Sequence, residues 1–321
     1  MNFVPVADHL SHFQKAANPH RGPTRDNSET STSSEELPLF GQDRSTENGG
    51  STISYGLLQP PSSETIFKRL KREITWQHML HKTGTVPRLV CCQGSIDADG
   101  SMPVYRHPSD QTMLVQAWTP GVNEVRQAAE EAVGHRLNHA LIQLYRSGSD
   151  YISEHSDKTL DIVKHSYIVN ASFGAQRTMR LRTKKDVTGN AAAKPASRTT
   201  YRIPLPHNSM VKMSLDTNAE YLHAVNADKR PAGELIDAEK AFDGERISIT
   251  FRDIGTFLNV DCSRIWGCGA TKTTKRQASA VINADKAESE RLLRAFAAKN
   301  QACMLPRDLI YGAGFDVLHL S

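Results

Sequence analysis

Cysteine is scarce in this sequence. Five residues, Cys91, Cys92, Cys262, Cys268 and Cys303, are scattered over 321 positions without a spaced framework. The odd count argues against a disulfide scaffold, and unpaired thiols fit a reducing intracellular compartment. Cys262 and Cys268 could be half of a zinc site, but no second pair or nearby His completes it, so two ordinary thiols are expected. An excess of one charge is also lacking. Thirty-nine basic and 35 acidic residues leave a net charge of +4, short of the profile of a dedicated nucleic-acid binder, although a local basic groove is not excluded. No apolar run approaches the roughly 20 residues that span a bilayer. The opening MNFVPVADHL has no basic region followed by an apolar core, so no secretory signal is expected. These absences point to a soluble protein of the cytoplasm or nucleus with no membrane partner.

The length allows one large domain or two modest ones. Residues 1–52 are rich in Ser, Thr, Asn, Asp, Gly and Pro and are expected to form a disordered arm, because they cannot bury enough apolar surface to offset the entropy of ordering. Within them Leu37-Pro38-Leu39-Phe40 is an apolar island, a docking segment or a loosely packed arm. An ordered domain is expected over 53–258, and a C-terminal extension with one helix over 259–321.

Inside the domain, Pro60 and Pro61 precede Ser62, Ser63 and Glu64, a helix start. Ile66, Phe67, Leu70 and Ile74 recur at helical spacing, as do Met79 and Leu80 farther on. Lys68, Arg69, Lys71 and Arg72 read as the solvated face of this helix rather than a localisation patch. Residues 86–92 read as a strand. Tyr105 and His107 stand two apart between prolines, placed to stack on a flat substrate or to pack on the domain. Thr119-Pro120 opens a helix to about residue 135, with Val122, Val125, Ala129, Ala132 and Val133 inward.

Residues 139–145 alternate. His139, Leu141, Gln143 and Tyr145 share one face, and Ala140, Ile142 and Leu144 share the other. A turn cluster at 146–150 leads to His155-Ser156-Asp157. In extended backbone residues i and i+2 point the same way, so this imidazole and carboxylate can converge on one ion. Alone, the triplet is a weak signal and reads more readily as a surface turn with a polar pair. Strands follow at 166–173, around Met179 and Leu181, and at 201–205, 210–215 and 221–225, which suggests an antiparallel barrel or sandwich. Between them lie a basic loop at 184–198 and a charged insertion at 226–244.

In Arg246-Ile247-Ser248-Ile249-Thr250-Phe251-Arg252, the isoleucines and Phe251 face one side and the arginines, Ser248 and Thr250 the other. Two arginines lining a small barrel are costly unless an anion meets them. Arginine forks suit a short dicarboxylate; an open polar face is the alternative. Beyond 258, residues 261–275 look loop-like, 285–301 form an amphipathic helix with Leu292, Leu293 and Phe296, and the apolar end 312–320 is placed to tuck back. His319 there reads as a packing or solvent-facing residue.

Taken together, Gln143 and Tyr145, the turn at Gly148, His155 and Asp157, His223, and the Arg246/Arg252 strand resemble the AlkB-like Fe(II)/2-oxoglutarate dioxygenases in order and approximate spacing. Residues 172–177 and 206–209 are similar to that family's framework. The resemblance covers about 85–258. It implies a mainly β fold with flanking helices, a double-stranded β-helix or jelly-roll core. It also implies Fe(II) held by His155, Asp157 and His223, with His165 and His207 as rival third ligands. The cosubstrates implied are 2-oxoglutarate and O2. The far carboxylate of 2-oxoglutarate would meet Arg246 and its iron-proximal carboxylate Arg252, with Gln143 and Tyr145 beside them. Substrate contacts would fall to Arg88, Tyr105, His107 and Lys158, and phosphates could meet Arg88, Arg106, Lys184, Lys185 and Arg198. The sequence departs from the family where Gln143 replaces a common Asn, where Lys158 and Thr159 follow Asp157, and in the length of the stretch from His223 to Arg246.

The activity this implies couples 2-oxoglutarate decarboxylation to C–H hydroxylation. It points first to oxidative dealkylation of alkylated nucleobases in DNA or RNA. The alternative is tailoring hydroxylation of a small molecule in a biosynthetic pathway. A catalytically silent binding module is disfavoured by the complete ligand set. A monomer is expected.

Overall fold

A computed structural model describes residues 36–40, 50–81, 84–108, 112–185, 198–301 and 307–318. Two antiparallel sheets enclose the site. The larger holds β1 (Glu36–Pro38), β2 (Thr52–Tyr55), β3 (Gln77–His81), β4 (Gly84–Gly94), β6 (His139–Tyr145), β8 (Ile168–Gly174), β11 (Ser209–Met213) and β13 (Arg246–Arg252). Their spatial order is β1-β2-β11-β8-β13-β6-β4-β3. The smaller holds β7 (Ile152–His155), β9 (Arg177–Thr183), β10 (Thr200–Leu205) and β12 (Tyr221–Val225), ordered β10-β9-β12-β7. A third sheet is built from β5 (Met102–Pro103), β14 (Thr256–Leu258), β15 (Arg264–Gly267) and β16 (Ser279–Ala280). This is the mainly β jelly roll with flanking helices that the strand pattern and the resemblance imply.

The period-2 pattern of β13 explains both sides of the large sheet. Ile249 stands opposite Ile142 of β6 and Ala171 of β8. These residues, with Ile247, Phe251, Val169 and Phe173, are fully buried against α1 (Ser62–Glu73) and α2 (Pro120–Val133). On the opposite face Ser248 stands between Gln143 and Ser172, and Gln143 and Ser248 line the internal cavity. A one-residue slip would exchange the two faces, so burial of the apolar side sets the register. A second cluster, including Ile168, Leu181, Ile203 and Val211, joins the two large sheets around the cavity.

Several expectations are corrected. Residues 36–40 are not part of a disordered arm: β1 pairs with β2, Leu39 is buried, and the Phe40 ring stacks on Tyr221 at 4.9 Å. The rest of 1–49 lies outside the described residues. The helix from Ser62 stops at Glu73, with Ile74 already extended at ψ 132°, and Met79 and Leu80 belong to β3. Ala132 is exposed, not inward, while Val133 beside it packs on the core and α2 closes on Gly134 at φ 72°. Thr119 occupies the cap position of α2 without capping it; its N–H and hydroxyl donate to Gln93 Oε1. The first turn of α2 is met instead by the Glu73 carboxylate, which accepts from Gly121 N at 2.6 Å and favours the positive end of the helix.

The strand expected over 210–215 ends at Met213. Ser214 Oγ accepts from Thr217 N at 3.0 Å and starts α3 (Leu215–Glu220). The insertion carries α4 (Asp237–Lys240). The stretch 261–275 is not all loop, since β15 pairs with β14 across residue 258. The C-terminal region has two helices rather than one, α5 (Lys286–Gln301) and α6 (Arg307–Tyr311). Leu292 and Phe296 of α5 bury against Leu160, Tyr311, Phe315 and Val317, so the apolar end does tuck back. His319, Cys303 and most of the 184–198 loop lie outside the described residues. No helix among the described residues is long and apolar enough to cross a membrane.

Candidate active site

β7 ends on His155, and β12 sets His223 directly opposite it in register. The two rings lie 4.2 Å apart, centroid to centroid. Asp157 follows two residues later and turns Oδ1 to both: 3.8 Å to His155 Nε2 and 3.6 Å to His223 Nε2. One ligand atom from each residue lies within 4.8 Å of the others. His155 Nδ1 donates to Ser153 O at 2.8 Å, which leaves the Nε2 lone pair for an ion.

Around the triad a second layer fixes the carboxylate. Arg252 Nη2 and Nε donate to Asp157 Oδ2 at 2.6 and 2.9 Å. Asn218, buried in α3, accepts from Asp157 N at 2.8 Å and donates to Asp157 O at 3.0 Å. Burial would raise the Asp157 carboxyl, but Arg252 and then the two imidazoles outweigh it and hold the group well below the usual carboxylate range. Burial lowers both imidazoles, and His223, with His155 beside it, is pulled down to about 3. An ionised carboxylate and two neutral imidazoles are the donor state a divalent cation needs. With one side open to a cavity, the set fits the two-His, one-carboxylate site of non-heme Fe(II) oxygenases.

That cavity measures about 530 Å³ and runs between the two large sheets from the triad to Arg246. Arg246 is 1% exposed. Its Nη2 donates to Ser172 Oγ at 2.7 Å, while Nε and Nη1 are buried without a hydrogen-bond partner. No carboxylate pairs with it among the described residues. Its guanidinium lies 5.1 Å from the Tyr145 ring, and burial lowers its pKa to about 10 against the opposing pull of Tyr145. A buried, half-satisfied guanidinium is costly in an empty protein, and it fits the carboxylate of a bound acid. Tyr145 donates its hydroxyl to Gln143 Oε1 at 3.2 Å, and both line the same cavity.

The other end of the cavity is roofed. Tyr105 is buried; Arg252 lies 4.0 Å over its ring and its hydroxyl accepts from Lys158 N at 3.0 Å. One face of the ring is therefore taken, which matches the packing alternative for Tyr105, while the residue still lines the cavity. His107 lines the cavity and is pulled down to about 4 by burial and then Arg252. Lys158 is buried, its Nζ donates to Asn300 Oδ1 at 2.6 Å, and burial lowers it to about 8. Arg88 lines the cavity mouth with Nη1 donating to Tyr151 O at 2.8 Å.

The rival ligands are elsewhere. His207 receives Gly174 N on Nδ1, lies 2.8 Å from Ser63 O through Nε2, and stacks on Phe242. His165 sits at φ 64° and is not in the ligand cluster. Two residues expected to meet phosphates are internal. Arg106 pairs with Asp161 at 2.6 Å, both nearly fully buried, and also donates to Phe315 O, Val317 O and Gly269 O. Lys184 is buried and donates to Lys299 O at 2.7 Å.

Sequence reasoning missed Asn170 and Asn300, and gave Ser172 and Arg177 no role beyond the framework stretch 172–177. Asn170 and Ser172 alternate with buried Val169, Ala171 and Phe173 on β8, so the alternation read on β13 would have found them. Arg177 gathers the carbonyls of Ser147, Gly148, Asp150 and Asn226 and so shapes the turn before His155. Asn300 is distant in sequence and carries no local signal.

Residues 50–252 match the family model of the 2OG-Fe(II) oxygenase superfamily. The chain is 26% identical over 210 residues to the DNA oxidative demethylase ALKBH2 of Homo sapiens, covering 63% of this chain and 72% of that protein. It is 27% identical over 171 residues to the alpha-ketoglutarate-dependent dioxygenase alkB homolog 3 of Homo sapiens, covering 53% and 58%. Among solved structures, an oxidoreductase of the 2OG-Fe(II) oxygenase family from Burkholderia pseudomallei aligns at 12% identity with a TM-score of 0.39, covering 65% of this chain and 87% of that one.

Proposed function

The chain belongs to the 2OG-Fe(II) oxygenase superfamily, and from that premise we propose that this AlkB-like dioxygenase oxidatively dealkylates alkylated nucleobases in DNA or RNA. Fe(II), with 2-oxoglutarate and O2, supplies the oxidation that places a hydroxyl on a substrate carbon, while 2-oxoglutarate leaves as succinate and CO2. Where that carbon is bound to nitrogen, the N–CH2–OH product loses formaldehyde and leaves N–H.

In this reading His155, Asp157 and His223 hold the iron. Arg252 keeps Asp157 turned so that Oδ1 faces the histidines, and Nη1, which makes only a 3.4 Å bond to Thr250 O, serves the iron-proximal carboxylate of 2-oxoglutarate. Arg246 takes the far carboxylate on Nε and Nη1, with the Tyr145 hydroxyl as a further donor and Gln143 beside it. Arg88, His107 and Lys158 border the space left for substrate, and the buried roof of Tyr105 excludes water from the reacting carbon. The catalytic unit in this reading is 53–258, with the C-terminal region packed on it, acting as a monomer in cytoplasm or nucleus.

One observation carries the chemistry: the His155, Asp157 and His223 donors open on the same cavity as the unpartnered nitrogens of Arg246. The substrate class rests on the name of one relative, the DNA oxidative demethylase ALKBH2. A small-molecule substrate is the second reading, favoured by the burial of Arg106 and Lys184 in internal bonds and by a lysine, rather than an acceptor, next to Asp157. Succinate release against methylated oligonucleotides and against a metabolite extract, run in parallel, separates the two. Nucleobase dealkylation predicts release with the oligonucleotides, accompanied by formaldehyde. Stimulation by the extract alone would reject it.

A further inference from the structure

We propose that the last turn of α5 is part of the active site and that Asn300 is a positioning residue for the segment carrying Asp157. Three donors converge on Asn300 Oδ1: Ser156 N at 3.2 Å, Ser156 Oγ at 3.0 Å and Lys158 Nζ at 2.6 Å. They come from the residues immediately before and after Asp157, so both flanks of that carboxylate are tied to one atom. Ser156 and Lys158 are both buried. Without Asn300 their donors would lose a partner where water has little access, and an unmade buried bond is expensive.

A second path leads from the same turn to the same residue. Lys184 Nζ donates to Lys299 O at 2.7 Å and to Asn218 O at 3.3 Å. Asn218 in turn brackets the backbone of Asp157 on both sides. Two ammonium groups, of Lys158 and Lys184, thus approach the C-terminal end of α5, where the helix dipole favours positive charge. The helix is held there independently, since Leu292 and Phe296 bury against Leu160, three residues past Asp157. The helix itself, with Leu292, Phe296, Lys299 and Asn300, lies outside the family-matched stretch 50–252.

This inference rests on iron binding at His155, Asp157 and His223. All three bonds end on one acceptor oxygen, so a carboxylate can replace the amide. The test compares full-length wild type, Asn300→Ala and Asn300→Asp below their unfolding temperatures. Calorimetric titration with Co(II), as a stand-in for Fe(II), is read together with amide exchange at Ser156. Loss of an outer-layer partner typically weakens metal affinity by about 10- to 100-fold, and Asn300→Ala should fall in that range with faster exchange at Ser156. Asn300→Asp should restore both, along with the Co(II) absorption spectrum of the wild type. Unchanged affinity and exchange in Asn300→Ala, or an Asp variant as impaired as the Ala variant, would overturn the proposal. A wild type that takes up no Co(II) would overturn the iron reading instead, and exchange at Ser156 would still decide the role of Asn300.

Discussion

Arg252 and Asp157 form a buried pair in which the arginine clamps one carboxylate oxygen and leaves the other for the histidines. Nη2 and Nε both end on Oδ2, and Oδ1 lies within 4 Å of both imidazoles. Replacing Arg252 by Met strands a buried carboxylate. Truncating one partner of such a pair costs about 3–5 kcal/mol, so Arg252→Met should lose stability of that order in chemical denaturation. Added Co(II) should return part of it, because an ion bound only by the folded state supplies the missing positive charge. Wild-type stability in the metal-free variant would contradict the clamp.

Arg246 predicts the opposite sign. Its guanidinium is buried with two nitrogens unpartnered, so Arg246→Met should leave the metal-free protein as stable as wild type or more so, by up to about 3 kcal/mol. The same variant should lose the thermal shift that 2-oxoglutarate gives the wild type. A shift of undiminished size would remove Arg246 from the cosubstrate site.

His139 makes the folded state acid-sensitive. It is buried beside Cys92 Sγ at 3.0 Å, and burial, then the charge of Arg252, push its pKa well below 6.5. The unfolded chain therefore takes up a proton that the folded chain refuses. Stability should fall as pH drops through about 6.5 and keep falling until the depressed folded value is reached. His139→Gln should flatten that slope by up to about 1.4 kcal/mol per pH unit, measured as urea midpoints across the acid range. An unaltered slope would show that His139 is not the group refusing the proton.

Arg106 separates structure from binding. Its burial against four partners, Asp161 and three carbonyls, predicts a loss of about 3–5 kcal/mol for Arg106→Met. The salt dependence of any oligonucleotide binding should be unchanged, because a residue that meets no phosphate does not alter counterion release.

The contrast between Arg106 and Arg246 marks what the sequence makes legible. Arg246 sits in a strand whose period-2 pattern places it with Arg252 on one face, and the partner strand β6 alternates in the same way. His155 and Asp157 were legible for the same reason, and His223 through the resemblance. Arg106 has no such frame: its partner Asp161 and its three carbonyl acceptors come from distant segments. The strand at Glu36–Pro38 was hidden because its composition is that of an arm and only pairing with β2 orders it. Ser214 hid a helix start inside an apparent strand, since one capping hydroxyl outweighed local β preference. Asn300 could not be read at all, because the convergence of three donors on it exists only after α5 docks.

The central claim is that His155, Asp157 and His223 hold the iron of a 2-oxoglutarate dioxygenase. The most direct measurement is iron-dependent conversion of 2-oxoglutarate to succinate by purified wild type and by Asp157→Ala, each shown to be folded. The wild type is predicted to turn over 2-oxoglutarate and to stop when iron is chelated, and Asp157→Ala is predicted to have no turnover. Turnover retained by Asp157→Ala would contradict the assignment.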